Sequence, residues 1–320
     1  MNARLKLLLL ASLGLTALVC SACGSGGQEL QAAVSPDTLV NRVATAQPAA
    51  QQPAPEAARR AFTPVVHAGD GLELADESVS EKNEKQRYEI VLTFPRLKGR
   101  PTPNAVRFNR AVRATVAREV RRFKDAYGDP AEDDPSMDEK MWGDVYNFLR
   151  GGCEIIHLAD DFASLRFDLY TYGRGAAHSI HSYVVLNVDL KSGRALTLEE
   201  LFKPGARYLQ ALAAHSVSDL KKQYGEEHRR AVERAAGEGL PASYAGVSVR
   251  DSEVQTGAGP EAENYRAWNL AAEGVVVSFA ACHVGGCADG AKEVVVPYSS
   301  LAAILKEDGP AARLRAQRRR

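Results

Sequence analysis

Ser164-Leu-Arg-Phe-Asp-Leu-Tyr-Thr-Tyr172 decides the fold. In an extended chain Leu165, Phe167 and Leu169 fall on one side, and Arg166, Asp168 and Tyr170 on the other. Period-two alternation of this kind marks a strand with one face in a core and the other in solvent. A strand buried on both faces would read as a continuous apolar run instead. The expected neighbours are therefore antiparallel partners on short links, with helices covering the apolar side.

Those neighbours can be read outward from it. Trp142–Leu149 and Cys153–Ala159 precede it as two further strands, with Asp160-Asp161 as the turn. Ser179–Asp189 follows, closed by the turn Lys191-Ser-Gly-Arg194. Earlier, Arg87–Phe94 gathers β-branched and aromatic residues into a strand, which Pro95, Pro101 and Pro103 should end. Asn104–Tyr127 is the clearest helix, because Phe108, Val112, Val116, Val120 and Phe123 recur every three or four residues. Arg110, Arg113, Arg118, Arg121, Arg122 and Lys124 occupy the rest of its surface as a solvated face, with a basic binding face as the competing reading. Gly128–Lys140 is acidic and reads as a solvated loop, lacking the ligand spacing of a calcium loop.

Downstream, Thr197-Leu-Glu-Glu200 is a capping box that starts a short helix. Tyr208, Leu209, Leu212, Val217 and Leu220 mark an amphipathic helix ending near Tyr224-Gly225, with a further helical piece over Glu226–Ala236. Ala267–Leu270, Gly274–Ala280 and Glu293–Pro297 read as a returning sheet, and Ser299 or Ser300 should cap a last short helix. The fold class is α+β, with antiparallel β-sheets packed against amphipathic helices.

The N-terminus is an export signal. Arg4 and Lys6 precede an apolar run from Leu7 to Val19, too short for a membrane span, and small residues lead to a cysteine at Ser21-Ala22-Cys23. This resembles the lipobox of a bacterial lipoprotein, which implies residues 1–22 as signal peptide and a lipid on Cys23. Multiple acyl chains on one cysteine hold firmly, at about 0.8 kcal/mol per buried CH₂. Residues 23–61, rich in Gly, Ser, Ala, Gln and Pro, read as a flexible tether. Residues 307–320, ending Arg313-Leu-Arg-Ala-Gln-Arg-Arg-Arg320, read as a basic disordered tail. The expected location is the cell membrane or outer membrane, facing periplasm or exterior.

The charge balance of 40 basic against 40 acidic residues, without aromatic–basic interleaving, argues against nucleic acid. Outside the cytoplasm cysteines oxidise. Cys282 and Cys287 bracket His-Val-Gly-Gly and could close a short disulfide, with Cys153 left over; two free thiols and a pairing through Cys153 are the alternatives. Cys282, His283 and Cys287 lack the fourth ligand and the spacing of a closed zinc site, so no metal is expected. His178 and His181 stand three apart, an odd offset that in a strand points them to opposite faces. No serine elbow, phosphate loop or His-Glu-x-x-His motif is present, so no catalytic residue and no cofactor are assigned. Tyr170, Tyr172, Arg174, His178 and His283 are the recognition candidates, since aromatic and Arg side chains anchor interfaces.

Three stretches carry a family resemblance. Phe167-Asp-Leu-Tyr-Thr-Tyr-Gly-Arg-Gly-Ala-Ala-His178 resembles the tyrosine–glycine–glycine–alanine–histidine turn of the extracellular domains called DUF4163 and DUF3298. Leu186-Asn-Val-Asp-Leu-Lys-Ser-Gly-Arg-Ala-Leu-Thr-Leu-Glu-Glu-Leu-Phe202 is similar to that family's strand, Lys-x-Gly turn and helix start. Val295-Val-Pro-Tyr-Ser-Ser-Leu301 resembles its closing strand and helix. The resemblance implies two subdomains, 62–178 like DUF4163 and 179–306 like DUF3298, similar to the extracellular region of the anti-sigma factor RsiV, which senses lysozyme. It implies a non-catalytic module that binds an envelope protein such as lysozyme, or a peptidoglycan-related glycan. A structural or assembly role in the envelope is the alternative, and a hydrolase is third. The chain departs from the pattern at Ala280-Ala-Cys-His-Val-Gly-Gly-Cys287, where the family has a tyrosine- and proline-rich loop, and at Arg174 and Ala176, where it prefers glycines.

Overall fold

Two strands that lie side by side in parallel need a crossover between them, and here a helix supplies it. Strand β3 (Tyr88–Gly99) leads into α1 (Pro103–Tyr127), and β4 (Asn147–Leu158) returns parallel to β3, pairing Tyr88 with Asn147 through to Thr93 with Gly152. The computed structural model describes residues 62–69, 71–128, 145–159, 161–245 and 251–317. The signal peptide, the Cys23 lipidation site, the tether, most of the acidic loop and Trp142 lie outside the described residues.

Thr102 starts α1, its side chain accepting the Ala105 N–H at 3.1 Å, and Pro103 follows where no N–H is needed. The helix buries Phe108, Val112, Val116 and Phe123 against Ile90, Leu92, Leu149, Leu165, Phe167 and Leu169 of the sheet. Each such side chain contributes roughly 1.5–3 kcal/mol. The large sheet runs β2 (Leu72–Asn83), β3, β4, β5 (Phe162–Tyr172), β6 (Ile180–Asp189), with β1 (Val65–Val66) parallel to the end of β4. The sheet is thus mixed, which corrects the expectation of antiparallel neighbours throughout.

Three further expectations change. Residues 147–158 form one strand, because Gly151 lets the backbones close up: a Cβ there would stand 2.1 Å from the Asp168 carbonyl oxygen. Strand β3 runs through Pro95. Pairing to β4 stops at Thr93, and Leu97, of the same parity as Pro95, turns its N–H and C=O outward to the Asn109 amide, at 2.9 and 2.8 Å. The missing N–H of Pro95 therefore falls on an unpaired side. Strand β5 is not half-buried along its length; Phe162 to Phe167 are buried on both faces.

The cover on that second face is a three-stranded antiparallel sheet of β7 (Trp268–Leu270), β8 (Gly274–Phe279) and β9 (Lys292–Pro297). Val276 faces the large sheet with Phe62 and Ile156, while Val275, Val277 and Phe279 face the other way. There they meet α2 (Tyr208–Gly237), one unbroken helix rather than two pieces. Gly225 costs it about 1 kcal/mol relative to Ala and does not end it. Among the described residues, short helices α3 (Asp251–Gly257), α4 (Tyr298–Leu301) and α5 (Pro310–Gln317) complete the α-helices. No side chain caps α4, whose N-cap is Pro297 instead of Ser299 or Ser300. Helix α5 replaces the expected free tail, with Ala311 and Leu314 buried in the second core and Arg313 Nε 3.2 Å from Asp161.

The layers are α1, large sheet, small sheet, α2. One core draws on residues between 68 and 190 and the other on residues from Leu196 onward plus Phe162. A cut after His178 passes between β5 and β6, which are paired from Thr171–Ile180 to Phe162–Asp189; the cores divide after Leu190.

Candidate functional site

Side chains of one parity on β4, β5 and β6 point away from α1. The small sheet covers them at one end of the strands and leaves them open at the other. At the covered end Ser164 Oγ donates to Asn187 at 2.6 Å and accepts from Asn269 Nδ2 and Leu270 N, while Asn187 Nδ2 reaches the Trp268 carbonyl at 2.8 Å. These buried polar groups join the two sheets through directional bonds.

Arg166 comes next, at 9% exposure. Its Nη1 donates to Ser278 Oγ at 2.6 Å and Glu293 Oε2 at 2.5 Å, its Nη2 to Glu154 Oε2 at 2.8 Å, and the guanidinium sits 5.0 Å from the Tyr183 ring centre. Burial opposes its charge, but Glu293 and Glu154 outweigh that and raise its pKa. Burial likewise pushes the Tyr183 hydroxyl well above its usual range.

Two residues further along, His181 forms the boundary between the covered and open parts. Its ring is stacked on Tyr170 at 4.8 Å and meets Tyr183 edge-on at 4.6 Å. The Ala281 N–H donates to Nδ1 at 3.2 Å, which assigns the proton to Nε2, and Nε2 donates to Asp168 Oδ1 at 2.7 Å. Both nitrogens are engaged, so the imidazole ties the sheet to the loop after β8 and offers no lone pair to a substrate.

The open end carries Tyr170, 38% exposed, then Tyr172 stacked on Phe148 at 5.3 Å, with Arg150 over the Phe148 ring at 4.7 Å and paired to Glu89 at 2.7 Å. Between Arg150 and Glu154 stands Gly152, where an added Cβ would meet nothing within 4 Å. The result is a shallow face of flat rings with a guanidinium and two carboxylates at its margins. Burial, with Asp168 adding to it, raises the pKa of Tyr170, so its hydroxyl stays protonated and can donate.

The loop beside this face is held from every side. Cys282 and Cys287 are joined as a disulfide, and Cys282 has a left-handed backbone at φ 71°. Lys292, nearly buried, donates to both Glu227 oxygens at 2.9 Å and to the Asp289 carbonyl at 2.8 Å, beneath the Tyr224 ring. Gly257 admits the loop so closely that a Cβ there would stand 2.0 Å from the His283 carbonyl oxygen. Cys153, the described cysteine outside the bridge, is turned toward the α1 core, and burial with Glu154 nearby raises its pKa far out of the reactive range.

Of the recognition candidates, the structure brings Tyr170 and Tyr172 onto one face. Arg174 and His178 lie on the turn leading from it, the Arg174 N–H donating to Asn147 Oδ1 at 2.7 Å and His178 exposed. His283 stands on the disulfide loop, turned toward Asn264 at 3.3 Å and Phe279 rather than toward the tyrosines. The residues that complete the face, Phe148, Arg150, Asp168 and His181, carry no motif. The signal that would have found them is the register, which sets Phe148 beside Tyr172, Arg150 beside Tyr170 and Tyr170 beside His181. Among the described residues no group of three or more His, Cys, Asp or Glu is placed to hold a metal ion, and no helix is long and apolar enough to cross a membrane.

Residues 199–299 match the family described as "Protein of unknown function (DUF3298)". That stretch contains α2, the small sheet and the disulfide loop, and the ring-bearing strands precede it. A crystal structure of a DUF3298 family member from Bacteroides fragilis is similar in fold, with 17% identity and a TM-score of 0.50, covering 77% of this chain and 98% of that one. A DUF3298 family protein from Pseudomonas aeruginosa matches at 12% identity and a TM-score of 0.38, over 75% of this chain and 97% of the other. No curated protein matches the sequence. The first of these supports the α+β fold, and the family match overlaps the resembling stretches at Glu199–Phe202 and Val295–Ser299.

Proposed function

We propose that the chain is a cell-envelope lipoprotein whose folded part is a non-catalytic ligand-binding module. Cys23 carries the lipid, which places the domain at the cell membrane or outer membrane, and the two cores correspond to the two subdomains of an RsiV-like sensor. The ligand is a peptidoglycan-related glycan or an envelope-directed protein such as lysozyme. It is bound on the face made by Phe148, Arg150, Tyr170, Tyr172 and His181, beside the Cys282–Cys287 loop.

The observation that carries this reading is the row of rings laid on an open sheet face, braced by a loop that is already rigid. Flat, preordered aromatic surface binds with little loss of side-chain freedom, and the guanidinium and carboxylates around it supply orientation. A non-catalytic role is supported by the His181 geometry, since its ring nitrogens are both occupied by protein partners.

The test is a titration of the full chain with solubilised peptidoglycan fragments and, separately, with lysozyme. Saturable binding of one of them, weakened at least about tenfold by Tyr170→Ala with Tyr172→Ala, is the expected result. Saturation of neither, or equal binding by the double variant, overturns the reading.

A further inference from the structure

Helix α1 carries seven basic residues, Arg107, Arg110, Arg113, Arg118, Arg121, Arg122 and Lys124, against two acidic ones, Glu119 and Asp125. The chain as a whole is balanced, so this is a local surplus. Part of it is answered. Glu77 pairs with Arg113 and reaches Arg96, Glu81 pairs with Lys124, and the buried Glu119 serves both Arg118 and Arg122. Arg110 and Arg121 engage no acidic partner among the described residues, and both are exposed. Eleven residues apart, they lie on the ridge opposite the buried stripe, with exposed Ala114 and Ala117 between them. At 1.5 Å per residue they stand about 16 Å apart along the axis. Small residues between two long cations let the helix approach a flat surface closely while the guanidinium groups reach it.

We infer that this face of α1 rests on an anionic bilayer surface, its arginines on lipid phosphates, and so sets the orientation of the domain. The inference rests on the proposed anchoring at Cys23 for its setting. Charge complementarity carries it: guanidinium groups pair bidentately with phosphate oxygens, and basic side chains at an anionic leaflet act together. The fold supplies the consequence. Helix α1 covers one face of the large sheet, and the ring-bearing face is the other. A domain lying on α1 therefore presents Tyr170, Tyr172 and the disulfide loop away from the membrane, toward whatever arrives from outside. Attachment at Cys23 keeps the local concentration of the face high, so each contact can be weak.

The test is flotation of the purified, unlipidated full chain with vesicles of phosphatidylcholine alone and of phosphatidylcholine with 30% phosphatidylglycerol. The leader, with Arg4 and Lys6, and the C-terminal arginines contribute alike in wild type and variant, so the fall in the ratio on substitution is the readout. The expected ratio is at least about tenfold in favour of the anionic vesicles, collapsing in Arg110→Gln with Arg121→Gln and at 0.5 M salt. Both positions are exposed, and an unchanged thermal melt shows that the variant is folded. Equal flotation with the two vesicles, or an unchanged ratio in the variant, overturns the inference. Arginines that serve an anionic wall polymer and not a membrane leave flotation equal with the two vesicles, the first of these outcomes. No ligand and no lipid anchor enter the assay, so its failure is separate from failure of the binding-face reading.

Discussion

At the scale of single residues the molecule turns on Arg166 and His157. Arg166 shares its charge between Glu154 and Glu293, which come from the two different sheets. Removing one member of a buried ion cluster leaves the others without compensation. Arg166→Met is expected to cost roughly 3–5 kcal/mol in urea unfolding, and adding Glu154→Gln and Glu293→Gln should restore part of it. His157 is 3% exposed, with Nδ1 unbonded among the described residues, and burial holds its pKa below 6.5, His67 adding to the effect and Asp161 opposing it. The unfolded chain thus takes up the proton at higher pH than the folded one. Stability is full above about pH 6.5 and falls, by at most about 1.4 kcal/mol per pH unit, as the pH drops toward the folded value. Melting temperatures from pH 7.5 to 5 should show this slope in the wild type and a shallower one in His157→Leu.

At the scale of elements the disulfide loop is the part most exposed to test. Closing a six-residue loop constrains the unfolded chain by about 2 kcal/mol, so Cys282→Ser with Cys287→Ser should lower stability by about that amount. Because Lys292, Tyr224 and His181 also hold the loop, the domain should stay folded, which a retained cooperative melt would confirm. Elements with strong periodicity were legible from sequence. The stripe of α1 and the alternation of β5 gave their positions to within a few residues. Of the expected capping box only half forms, Glu200 reaching back to the Thr197 N–H at 2.7 Å while no side chain caps the 3₁₀ turn Glu199–Leu201. Strand β2, Leu-Glu-Leu-Ala-Asp-Glu-Ser-Val-Ser-Glu-Lys-Asn from Leu72 to Asn83, was not. It is an edge strand with one face exposed and the other only half-buried, partly by the polar Glu77 and Glu81, so little apolar pattern is needed. The double burial of β5 was hidden for a different reason. Its second cover is polar at Ser164 and Arg166, and the partners Asn269, Ser278 and Glu293 lie more than 100 residues away.

At the scale of the whole molecule, the site depends on how two cores are joined. The small sheet covers half of the β4–β6 face and leaves the ring-bearing half free, and His181 sits on the dividing line. Sequence reasoning could place Tyr170 and Tyr172 on a strand but could not choose their neighbours, because strand order and register are set by packing over the full chain. The claim that this half-covered face is where the ligand binds is tested most directly by amide hydrogen exchange on the full chain, with and without the ligand that saturates it. Slowed exchange over residues 147–152, 168–183 and 280–287 is the predicted result. Protection confined to α1, or to residues 298–317, would contradict the account.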